Sequence, residues 1–122
     1  MTAAIDDILG DAFSTKSSLA ADTITVQLVG CLDLATAPLL RRYLSQLTRS
    51  AQAGELLEFE FNLEQLYLMS SSSISHFASW LKGLRTTELV RRVKFRTNPN
   101  SSWQQRTLDA LRRLAGPLVK VE

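Results

Sequence analysis

The chain holds one cysteine, Cys31, and one histidine, His76, among its 122 residues. One thiol cannot close an intramolecular disulfide. One thiol and one imidazole also fall short of the ligand set of a zinc site. No metal and no cofactor is therefore expected. Long apolar runs are missing as well. None nears the roughly 18 residues that cross a bilayer, so direct membrane insertion is not expected. The opening MTAAIDDILGDAF places acids where a secretory leader would place a basic start and an apolar centre. With a single thiol, that composition leads to an expectation of a reducing, cytoplasmic location. Charge of one sign is scarce too. The formal excess is only +2, which gives no reason to expect nucleic acid as a partner. Stacking aromatics do not accompany the arginine pairs Arg41-Arg42, Arg91-Arg92 and Arg112-Arg113, and such pairs on helices usually form a solvated side. There is no G-x-S-x-G elbow, and no evident acid to orient His76 against Ser72 one helical turn away. No catalytic residue is assigned, and the chain is not expected to be an enzyme.

What is present is a regular pattern. Hydrophobic residues make up 45%, enough for one domain of this length to bury a core without disulfides. Ile5, Ile8 and Leu9 have helical spacing, so the first dozen residues read as either a short helix or a frayed end. Residues 1–11 are taken as an N-terminal extension and 12–122 as the domain. Residues 12–19 form a weak strand candidate that turns at 20–22 into TITVQLV (23–29), whose apolar residues alternate. Gly30 is expected to end that strand. Thr36 reads as an N-cap, Pro38 fits the first turn, and Leu40, Tyr43, Leu44 and Leu47 make a helical stripe that stops at Gly54.

ELLEFEFNL (55–63) alternates strictly and reads as a strand with one wet face. EQLYLM reads as a short connection to Ser70-Ser71-Ser72-Ser73. A second helical stripe follows, in Ile74, Phe77, Ala78, Leu81 and Leu84. LVRRVKFRT (89–97) is a strand whose basic residues suit Glu58, Glu60 and Glu64 as cross-strand partners. Residues 101–116 form a helix, with Ser102 and Gln105 as a capping box and Trp103, Leu108, Leu111 and Leu114 on its buried side. LVKV (118–121) is a last strand. The order β-β-α-β-α-β-α-β predicts an α/β domain with a mixed sheet of four or five strands and right-handed crossovers.

The segment ITVQLVGCLDLATAPLLRRYL (24–44) resembles the strand, G-x-L-D turn and first helix of STAS domains, the anti-sigma-factor antagonists and their relatives. Ser70-Ser71-Ser72-Ser73-Ile74 falls where that family has Asp-Ser-Ser-Gly-Leu opening its second helix. The resemblance covers residues 12–121 and marks the chain as a divergent, bacterial, STAS-like protein. Ser70 replaces the family's Asp and Ser73 its Gly. Asn62 stands where an acid is frequent.

The resemblance implies regulatory protein–protein binding. An anti-sigma factor that is also a serine kinase of the GHKL type would be the partner, and phosphate on the first serine of the motif would break the complex. Carried over, the acceptor is Ser71, with Ser72 second. The partner-binding surface is expected to hold Leu32, Asp33, Leu34, Thr36, Ser70, Ser73, His76 and Trp80, with Trp80 as an exposed aromatic. The four serines also have a plainer reading as a helix cap, although one serine suffices for that. Two alternatives stand beside the switch. One is a STAS-type accessory subunit of a membrane transporter, docked constitutively on its ATPase. The other is a phosphate- or nucleotide-binding module using the same helix N-terminus.

Overall fold

The computed structural model describes residues 5–54 and 56–122. Strands β1 (Phe13–Ala20) and β2 (Thr23–Leu32) form the expected hairpin. Then come α1 (Ala37–Ala53), β3 (Glu58–Met69), α2 (Ser71–Thr87), β4 (Arg92–Arg96) and α3 (Ser102–Ala115). A 3-10 turn (Gly116–Leu118) leads into β5 (Val119–Val121). The strands lie side by side in chain order, antiparallel between β1 and β2 and parallel from there on. Each parallel step passes through a helix. Because every step runs in one direction, right-handed crossovers place all three helices on one face of the sheet.

Alternation decides which side chains meet those helices. Ile24, Val26 and Leu28 of β2, Phe59, Phe61 and Leu63 of β3, and Val93 and Phe95 of β4 are buried. Leu40, Tyr43, Leu44 and Leu47 of α1 and Phe77, Leu81 and Leu84 of α2 cover them. The other face is polar and held by charge. Glu60 pairs with Lys94 at 3.6 Å and with Arg96 at 3.3 Å, as opposite charges on neighbouring strands should. Such half-exposed pairs stabilise by about 1 kcal/mol or less each.

Four local expectations change. Gly30 does not end β2. The chain passes through it at φ +104° and stays paired to Leu32. A side chain there would collide with the Ala12 carbonyl, which lies where a Cβ would sit. EQLYLM is not a connection but the second half of β3. Against β2 the register slips twice, between Gln27 and Val29 and between Gly30 and Cys31, adding one residue to β3 each time. Burial in β3 therefore changes from every second residue to every third, at Leu63, Leu66 and Met69.

The capping box of α3 does not form. Ser101 is the N-cap without a side-chain bond, and Gln105 instead reaches the Thr97 hydroxyl. Gln104 is the residue turned inward. Its amide donates to the carbonyls of Leu63 (2.8 Å) and Leu66 (3.0 Å), which flank the first slip, and its oxygen accepts the Asn98 N–H.

Finally, residues 5–11 are neither a helix nor a frayed end. They form a strap along β1. The Thr15 N–H donates to the Ile8 carbonyl, and the Ser17 N–H to the Asp7 carboxylate. The same carboxylate accepts from the hydroxyls of Tyr43 (2.7 Å), Thr15 and Ser17. Burial alone would raise the Asp7 pKa. These hydrogen bonds outweigh it and hold the carboxyl below its ordinary value. Tyr43 moves upward, through burial first and its bond to Asp7, so it stays a donor.

Candidate functional site

Parallel pairing brings the ends of β2 and β3 together, with Leu32 opposite Met69. The chain leaves each strand by a short turn into a helix. The two turns are stitched by the Ser70 N–H, which donates to the Leu32 carbonyl at 2.7 Å. In the first turn, Asp33 Oδ1 accepts the Thr36 N–H (2.9 Å) and hydroxyl (3.1 Å). The Thr36 backbone bond is the chief reason the Asp33 carboxyl sits below its ordinary pKa, with the hydroxyl adding to it. Thr36 holds the N-cap position, but its hydroxyl donates backwards and does not cap the helix.

In the second turn, Ser70 is the cap of α2. Its Oγ accepts the Ser73 N–H at 3.2 Å and its carbonyl accepts that of Ile74. Its hydroxyl lies 3.1 Å from that of Ser73, which is fully buried. Ser73 needs none of glycine's conformational freedom, since it lies within the helix and has no positive φ. Ser71 is exposed and Ser72 half-buried.

The expected surface is thus divided. Ser71 and Leu34 face solvent, Leu34 being 73% exposed. Asp33, Thr36, Ser70, Ser72 and His76 are partly accessible. Two residues leave the surface: Leu32 is fully buried at the end of β2, and Ser73 sits beneath the cap. Trp80 is also corrected. It is half-buried, packed on Phe59 at 5.2 Å and Phe61 at 5.6 Å, with its indole N–H on the Thr48 hydroxyl at 2.8 Å. It joins α2 to α1 and the sheet more than it faces a partner. His76 makes no hydrogen bond to Ser72. It lines a cleft of about 400 Å³ between α1 and α2 with Arg41, Leu44, Ser45, Ser79 and Trp80. Among the described residues no group of His, Cys, Asp and Glu is arranged to hold a metal, and no helix is long and apolar enough to cross a membrane.

Two exposed residues were not foreseen. Tyr67 is 70% and Leu68 48% exposed, both within three residues of Ser70. Leu68 stands opposite Cys31 at the end of the β2–β3 ladder. Their signal was hidden by the reading of EQLYLM as a connection. A strand that exposes two large apolar side chains beside an exposed serine is a distinct surface feature.

No family model and no curated protein matches the sequence. Solved structures do match. The anti-sigma factor antagonist SpoIIAA in its unphosphorylated form superposes with a TM-score of 0.59 at 19% identity, over 87% of this chain and 86% of that one. The phosphorylated form of SpoIIAA, the Bacillus cell fate determinant, gives 0.61 at 17%, over 88% and 90%. An anti-sigma factor antagonist from Mycobacterium paratuberculosis gives 0.65 at 16%, over 86% and 84%. The fold is that of SpoIIAA. Within this SpoIIAA-like fold the serine turn opens the second helix.

Proposed function

We propose that the chain is a regulatory protein-binding module of the anti-sigma-factor-antagonist kind, switched between partners by phosphate on Ser71. The observation that carries this is an exposed serine at the first position of α2, with exposed Tyr67 and Leu68 just before it in the chain and exposed Leu34 on the turn that Ser70 is bonded to. Likeness to SpoIIAA, a protein seen in unphosphorylated and phosphorylated forms, supports it. Free N–H groups and the helix dipole at the start of α2 favour an anion there. Phosphate would therefore leave the fold intact while adding nearly two negative charges. A partner whose apolar surface covers Leu34 and Tyr67 would have to desolvate that charge, and affinity would fall without refolding. The partner class is an anti-sigma factor with serine kinase activity of the GHKL type, acting in the bacterial cytoplasm.

One observation favours a second reading, constitutive docking as an accessory subunit. Two of the four serines, Ser70 and Ser73, are occupied with the cap. The test is site-mapping mass spectrometry on protein from its native host, with pull-downs by wild type, Ser71→Ala and Ser71→Asp. Phosphate on Ser71, with a partner held by the Ala form and lost by the Asp form, is the expected result. No phosphate on any of the four serines, with all three forms holding one partner, would overturn the switch in favour of constitutive docking.

A further inference from the structure

Helix α1 carries not one acid: its sequence, APLLRRYLSQLTRSAQA, has three arginines and no Asp or Glu. Arg41, Arg42 and Arg49 are all exposed and line one cleft of about 820 Å³. None of the three has a carboxylate within ion-pair distance among the described residues. Elsewhere the chain does supply such partners: Arg112 and Arg113 share Asp109, and Arg96 and Lys94 share Glu60. Against the three charges, the described lining of the cleft holds a single acid, Asp6. This one groove thus carries as large a positive excess as the whole chain.

The strap builds its far wall. The Asp6 N–H donates to Gln46 Oε1 at 2.8 Å, and Gln46 Nε2 returns a bond to the Asp6 carbonyl at 3.4 Å. Arg41 and Arg49 lie about 12 Å apart along the axis, at about 1.5 Å per residue. The groove continues through Arg41 and Ser45 into the cleft beside His76.

We propose that this groove is a second interaction surface, which binds an acidic segment of a polypeptide. Guanidinium groups spaced along a helix take carboxylates in pairs of parallel bonds. The groove's size suits a short segment. Nucleic acid fits less well, because no aromatic lines the groove for stacking and Asp6 would face phosphates. A membrane surface fits less well too, since none of the exposed large apolar residues lies on α1. A polypeptide can satisfy Asp6 with a backbone N–H while giving carboxylates to the arginines. None of the four serines lines the groove, and the proposal holds whether or not Ser71 is phosphorylated.

The test is fluorescence anisotropy with the full chain and a labelled hexaglutamate peptide, with hexaglutamine as the uncharged control. Binding of hexaglutamate alone, weakening as salt rises, is expected. Arg42→Glu with Arg49→Glu should lower affinity about tenfold or more. Arg91→Glu with Arg106→Glu makes the same charge change outside the groove and should leave binding within about twofold. Circular dichroism checks that both doubles fold; if the first does not, Arg42→Gln with Arg49→Gln takes its place. Equal losses in the groove and control doubles would overturn the proposal. So would a failure of hexaglutamate to bind. Tighter, groove-dependent binding of a DNA duplex or of phosphatidylserine vesicles would replace it with a nucleic-acid or a lipid surface.

Discussion

Gln104 shows how one side chain can hold an irregular strand. The pairing of β3 to β4 stops at Asn62, and beyond it the fully buried Gln104 amide reaches the carbonyls of Leu63 and Leu66. A buried polar group left without its partner costs about 1–3 kcal/mol. Gln104→Ala strands those two carbonyls and the Asn98 N–H, so a loss of about 3 kcal/mol or more is expected in urea denaturation. Gln104→Glu is the sharper test. It retains the volume but aims a carboxyl at two carbonyl oxygens, which is favourable only when protonated. Its folded pKa would rise above the unfolded value. The variant should then be most stable below about pH 4.3 and lose stability as pH rises through the folded pKa. A Gln104→Glu midpoint that tracks wild type from pH 4 to pH 8 would show that the amide donates nothing essential.

At the scale of elements, β2 depends on one residue without a side chain. Gly30 holds φ +104° while the Ala12 carbonyl presses where a Cβ would be, and the Cys31 N–H donates to that same carbonyl at 2.8 Å. Gly30→Ala should cost at least about 2 kcal/mol, from backbone strain and displacement of the start of β1. A thermal midpoint unchanged by that substitution would mean that β1 is free to shift. The same strand explains which elements could be read from the sequence. Thr23–Val29 alternates cleanly and α1 shows an unbroken stripe, so their positions follow from periodicity; in α3 only Leu108 and Leu111 of the expected stripe are buried, with Gln104 and Ala115 inward and Trp103 and Leu114 partly exposed. The serine turn before α2 was legible because capping chemistry is local. Gly30 was misread because a lone glycine marks either a strand's end or a bend within it, and only the approach of Ala12 decides. The second half of β3 was misread because two slips turn a period of two into a period of three, which is not a strand pattern. Tyr67 and Leu68, part of the candidate surface, were lost with it. Burial of Ser73 and Leu32 was equally hidden: the cap that covers one and the ladder that covers the other are tertiary.

At the scale of the whole molecule, the sheet must protect an edge. Among the described strands β1 pairs only with β2, and its outward N–H groups at Thr15 and Ser17 would offer a template for a foreign strand. The strap takes both, the first on the Ile8 carbonyl and the second on Asp7. Asp7 also fastens the strap to α1 through Tyr43, 36 residues away in sequence, which is why the first dozen residues could not be placed from sequence alone. Because the folded pKa of Asp7 lies below its ordinary 3.8, its stabilising effect is present above that value and is lost as pH falls through the folded pKa. Asp7→Asn should mimic this at neutral pH. An amide presents one acceptor oxygen where the carboxylate uses two, so either the Tyr43 and Thr15 pair or the Ser17 pair loses its partner. Hydrogen bonds to a charged group contribute about 1.5–3 kcal/mol each. Amide exchange at Thr15 and Ser17 should accelerate about tenfold or more in Asp7→Asn, while the amides of β3 keep their protection. With the edge uncovered, the variant should also associate as its concentration rises, seen as an earlier elution in size-exclusion chromatography. If Thr15 and Ser17 exchange equally fast in wild type and Asp7→Asn, the strap does not guard β1, and the edge is protected by its charges and twist alone.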